Sequence, residues 1–152
     1  MAKAPRYDGI FVEMPLDRGA RVVVATLFET VLALAPSVLR GDDTRAVHDM
    51  RVGIRRVRTA MTSFKDAFPA KRLRALHRAT RRVGRKLGDV RDADVHLAVL
   101  RATLGGAPQA ERPGIVFAIE ALLDRRRAAL ADFAIELSQF DRDAIVRVLA
   151  HA

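Results

Sequence analysis

No cysteine occurs in the chain, so disulfides, thiolate metal ligands and a cysteine nucleophile are excluded, and the composition suits a reducing compartment. Tryptophan is absent and Tyr7 is the single tyrosine, which leaves few rings on which nucleic acid bases could stack. Long hydrophobic runs are missing too. The most apolar stretch, Val22 to Ala35, is interrupted by Glu29 and ended by Pro36, short of the roughly 20 residues a membrane span needs. It also follows Glu13 and Asp17, an unsuitable start for a secretory signal. The expectation is a soluble, cytoplasmic protein with no membrane association.

What is present favours helices. Half of the 152 residues are hydrophobic and 30% are charged, enough to fill the core of one domain. Ala, Leu, Val and Arg dominate. Ala, Leu and Arg lose little side-chain freedom in a helix, so the fold class is all-α, a helical bundle.

Residues 1–16 contain Pro5, Gly9 and Pro15 and show no period, so they read as a leader with a short extended piece at Ile10 to Met14. A domain then occupies residues 17–152. Its first helix carries Val22, Val23, Leu27, Val31, Leu34 and Val38 at three- and four-residue steps, with a kink or end at Pro36. After Gly41, Asp42 or Asp43 caps a second helix from Thr44 to Phe68. Its core stripe is Val47, Met50, Ile54, Val57, Met61, Phe64 and Phe68. A third helix starts near Ala70 and buries Leu73, Leu76, Ala79, Val83, Leu87 and Val90. Gly88 marks either a break or a close helix crossing before a segment from Asp89 to Leu104. Gly105-Gly106-Ala107-Pro108 reads as a loop. The last long helix runs from near Pro113 to Ser138, followed by a short one from Arg142 to Ala150.

The formal net charge is +9 with a pI near 11.2, and its distribution is uneven. From Arg45 to Arg91 there are 15 Lys or Arg against three acids, Asp49, Asp66 and Asp89, so this segment carries +12 and the remainder −3. Mixed charge would suffice for solubility; segregation points to a polyanionic partner.

The cations also share faces. At ~100° per residue, His48, Arg51, Arg55 and Arg58 fall within about 80° of one another, on one face beside the apolar stripe. Thr59 and Thr62 border them. On the next helix Arg74, Arg78, Arg81 and Arg85 lie within about 60° and form a row roughly 16 Å long, which Lys71 and Arg82 widen. A row of that length suits several linked phosphates rather than one. Arginine's planar fork pairs with phosphate oxygens and stays charged at any cellular pH. His48 beside a polyanion is favoured in its protonated form, able to donate from both ring nitrogens.

Other polar groups have plainer readings. His77, His96 and His151 have no metal-ligand spacing, and no metal, cofactor or catalytic residue is expected. Asp92 and Asp94 read as a salt bridge or helix cap. Arg125-Arg126-Arg127 points in several directions and reads as solvated.

Val47-His48-Asp49-Met50-Arg51-Val52-Gly53-Ile54-Arg55-Arg56-Val57-Arg58 resembles the signature helix of the CHAD family of histidine-containing α-helical domains, and Leu87-Gly88-Asp89-Val90-Arg91-Asp92-Ala93-Asp94-Val95 resembles its next motif. The resemblance implies long antiparallel helices forming half of a pseudosymmetric architecture around a basic cleft. It also implies binding of inorganic polyphosphate, with His48, Arg51, Arg55 and Arg58 facing the ligand and the Arg74 to Arg85 row beside them. A full family domain is about twice this length, so the chain matches the N-terminal half; either a homodimer supplies the other half, or the chain is a truncated or split product. A CYTH triphosphatase partner and a place at polyphosphate granules are further implications.

Two other functions draw on the same residues. Nucleic acid would use the charge, but Phe64 and Phe68 belong to the core stripe and Tyr7 to the leader, so base-stacking rings are missing from the basic face. A phosphohydrolase fragment would need a carboxylate cluster for Mg²⁺ or a nucleophile beside a base, and neither is readable.

Overall fold

Helices form where apolar residues recur at helical spacing, and the computed structural model, which describes residues 5–150, contains six of them. They are α1 (Leu16–Ala33), α2 (Ala35–Arg40), α3 (Thr44–Ser63), α4 (Ala70–Gly106), α5 (Arg112–Ser138) and α6 (Arg142–Leu149), with a 3₁₀ turn at Lys65–Ala67. No strand occurs among the described residues. The protein is an all-α bundle. Ile10 to Met14, expected to be extended, forms turns instead, with the Met14 amide donating to the Phe11 carbonyl at 3.1 Å.

Asp43 starts α3 by accepting from the Arg45 and Ala46 amides, both at 2.9 Å, an N-cap worth about 1 kcal/mol. Val47, Met50, Val57 and Met61 on its inner face are sealed from solvent and Ile54 nearly so. Each such side chain contributes about 1.5–3 kcal/mol on burial. The helix ends at Ser63 rather than Phe68: Phe64 leaves helical geometry, the 3₁₀ turn follows, and Phe68 is extended ahead of Pro69, as a residue before proline tends to be.

α1 lays Ala20, Val24, Leu27, Phe28 and Val31 into the core. A Cβ added to Gly53 of α3 would lie 2.6 Å from Val31 Cγ2, so the two helices touch where Gly53 has no side chain. Gly53→Ala is expected to lower stability by about 1–2 kcal/mol, because overpacking against a stiff, buried Val31 outweighs alanine's ~1 kcal/mol helix advantage. Urea denaturation checks this; a stabilised variant would contradict the packing.

Pro36 does not end the apolar path. It sits in the first turn of α2, and only Leu34 separates the two helices. The helical span Leu16–Arg40 therefore reaches 25 residues and contains an 18-residue window with a mean hydropathy of 2.1, long and apolar enough by those criteria to cross a membrane. The length argument from sequence fails here. The inner stripe of α1 packs in the protein core.

α4 is one continuous helix of 37 residues, about 55 Å long. Gly88 causes no break, and Gly105 and Gly106 form its last turn rather than a loop. α5 returns antiparallel along it. Arg82 meets Glu136 at 2.8 Å, Lys86 meets Asp132 at 2.6 Å, and Arg126 meets Asp94 at 2.6 Å. α6 closes on α1 and α4: Asp141 caps it, and Arg21 Nη1 donates to the Leu149 carbonyl at 3.0 Å. The core lies among α1, α2, α3, the first half of α4, the end of α5 and α6, and from residues 98 to 128 only Ala107 is buried.

Candidate functional site

The link at residues 64–69 is short, so α3 and α4 run antiparallel, and small residues set how closely. An added Cβ on Gly84 would stand 3.0 Å from Ile54 Cγ2, and one on Gly88 would stand 2.7 Å from Arg51 Nη1. The Arg51 guanidinium thus lies over bare α4 backbone. This register puts Arg58 near Arg81 at one end and His48 near Arg91 at the other.

Between the helices is an open groove of about 970 Å³. His48, Arg51, Arg55 and Arg58 line it from α3; Arg81, Arg82, Arg85, Lys86 and Arg91 line it from α4; its acids are Asp89, Asp92 and Glu136. Each basic row is roughly 15 Å long. Asp132 and Glu136 of α5 bind Lys86 and Arg82. Among the described residues no carboxylate lies within ion-pair distance of Arg51, Arg55, Arg58, Arg81, Arg85 or Arg91. Arg58 Nε is buried without a hydrogen-bond partner. Six guanidinium groups on facing helices with no carboxylate at ion-pair distance leave a groove whose cations outnumber its acids, an arrangement whose donors can pair with an extended anion.

Of the sequence candidates, His48, Arg51, Arg55, Arg58, Arg81 and Arg85 come together, whereas Arg74 and Arg78 are exposed on α4 but do not line the groove. The reason is the end of α3. In the antiparallel register Arg78 lies level with Met61, a core residue, and Arg74 lies beyond Ser63, where α3 no longer supplies the facing wall. Arg82, Lys86 and Arg91 also line the groove. Arg91 was legible in principle, since it continues the helical face past Gly88 by three residues. Thr62 does not offer its hydroxyl to the groove; it donates to the Arg58 carbonyl at 3.0 Å.

His96 is exposed and His151 lies outside the described residues. Half-buried His77 sits just outside the groove, and burial, then the charges of Arg58 and Arg81, hold its pKa below the ordinary imidazole value. Above about pH 6.5 His77 is neutral in both states and contributes nothing; below it the unfolded chain binds the proton more readily, so stability falls. His77→Gln should lessen the loss of stability between about pH 7.5 and about pH 5.5, read from urea midpoints at the two values. An unchanged loss would contradict the assignment.

Asp94 forms a salt bridge, and its partner corrects the reading of Arg126: that side chain is 13% exposed rather than solvated. Among the described residues, no group of three or more histidines and acids is arranged to hold a metal ion.

Comparison with curated proteins and with solved structures returns no match. The family model described as the CHAD domain matches residues 23–151, a span that contains both walls of the groove. The chain belongs to the CHAD domain family.

Proposed function

We propose that the protein is a non-catalytic binder of inorganic polyphosphate and that the groove between α3 and α4 is where it binds. The observation that carries this reading is the pair of facing basic rows with six arginines lacking a carboxylate partner. An orthophosphate would occupy one or two of these guanidinium groups, while a linear chain can engage both rows along their length. No Phe, Tyr or Trp side chain lines the groove, so its one ring, the His48 imidazole, is a small platform for stacking bases. Open on one side, it gains from phosphate charge without full desolvation, and binding should weaken as salt rises.

Calorimetric titration at fixed ionic strength tests the proposal. Long-chain polyphosphate should bind at least 100-fold more tightly than orthophosphate and displace both single-stranded and duplex nucleic acid. Equal affinity for orthophosphate would overturn the reading, as would preferential binding of nucleic acid.

A further inference from the structure

α5 is apolar on both sides, which a helix covered on one side alone does not require. The face toward α4 carries Leu122, Leu123, Ala129, Leu130 and Phe133. The opposite face carries Phe117, Ala121, Asp124, Ala128, Ala131 and Ile135, all exposed. Phe117 is 74% and Ile135 57% exposed. These six residues recur at steps of four and three, the period of a seam between paired helices. Their spacing also reads the same from either end, centred on Arg126, with large residues at both ends and three alanines and Asp124 within.

We infer that this face pairs with α5 of a second copy, antiparallel, about a two-fold axis level with Arg126. Symmetric spacing is what an isologous contact needs, because each residue must meet its counterpart under the same rotation. Phe117 then faces Ile135 of the second copy, Ala121 faces Ala131, and Asp124 faces Ala128. The alanines let the helices approach closely, while the end residues cover one another across about 27 Å. Charge agrees with the choice of occupant. Asp124 already pairs with Arg127 of its own helix, and the axis brings Asp124 within one turn of Arg127 in the other copy. Two carboxylates and two guanidinium groups then form one balanced network, which also fixes the register. The seam lies on the side of α5 away from α4, so pairing leaves both grooves open. It rests on α5 alone and does not depend on what the grooves bind.

The natural absence of cysteine allows a direct test. In the Ala121→Cys/Ala131→Cys variant, positions 121 and 131 of different copies face each other, whereas within one helix they are about 15 Å apart, too far for a disulfide. Mild oxidation should give a covalent dimer of the double variant and leave both single variants monomeric. Sedimentation equilibrium of the unmodified chain should show a monomer–dimer equilibrium. Phe117→Asp/Ile135→Asp should weaken it at least 10-fold while leaving helix content unchanged, since both positions are exposed. A chain that is monomeric at every concentration, or single-cysteine variants that cross-link as readily as the double one, would overturn the proposal. In either case polyphosphate binding by the monomer reports on the groove separately.

Discussion

Asp94→Ala is expected to destabilise the protein by about 3–5 kcal/mol, the range for removing one member of a buried ion pair. The Asp94 side chain is 2% exposed. Arg126 Nε donates to its Oδ1 at 2.6 Å, and Arg126 Nη1 donates to the Gly41 carbonyl at 2.8 Å. One guanidinium thus ties α4 and α5 to the turn after α2, where Gly41 adopts a left-handed conformation with φ 78°. Without Asp94 the guanidinium is left in a poorly hydrated site with a carbonyl as its remaining partner. The loss arises mainly from that uncompensated charge. Asp94→Leu/Arg126→Met should therefore be more stable than Asp94→Ala, because it removes both charges together, though the Gly41 carbonyl loses its donor. Urea denaturation of both variants at neutral pH checks the pair; a loss below about 1 kcal/mol in Asp94→Ala would mean that the charge reaches water. For a domain whose total stability is about 5–15 kcal/mol, the expected loss is a large fraction.

The second large effect falls on binding. Arg51→Ala/Arg55→Ala should lower affinity for long-chain polyphosphate by about 100-fold. Hydrogen bonds to charged groups are worth about 1.5–3 kcal/mol each, so two would sum to about 3–6 kcal/mol, and screening in an open groove keeps the combined loss near the bottom of that sum. Both side chains are exposed, so the thermal midpoint should stay nearly unchanged. Titration at fixed salt reads the affinity, and circular dichroism reads the fold. A variant that binds as the parent does would exclude the α3 wall.

The helices and the α3 wall were legible in the sequence because both depend on local periodicity. Val47, Met50, Ile54, Val57 and Met61 had to share one face of a helix, and His48, Arg51, Arg55 and Arg58 the face beside it. The resemblance to the CHAD family was readable in the same residues and agrees with the family match over residues 23–151. The α4 wall was only partly legible, because periodicity within one helix does not say how far the neighbouring helix extends. Arg74 and Arg78 continue the Arg81 and Arg85 row, yet Arg78 lies level with the core residue Met61 and Arg74 passes the end of α3 at Ser63. Gly88 allowed either a break or a crossing, and the decision rests on Arg51, whose guanidinium occupies the space a side chain there would fill. Arg126 looked like one of three solvated neighbours because its partner, Asp94, is 32 residues away. The apolar path through Pro36 was missed because proline is tolerated in the first turn of a helix, and α2 restarts one residue after α1 ends.

One comparison separates a built groove from general positive charge. Arg51→Ala/Arg55→Ala and Arg74→Ala/Arg78→Ala each remove two positive charges, the first pair from the groove and the second from the part of α4 outside it. Affinity for long-chain polyphosphate is to be measured for both at the same ionic strength. The groove predicts a loss at least 10-fold larger for Arg51→Ala/Arg55→Ala; equal losses would show that the ligand senses only net charge and would contradict the assignment of the site.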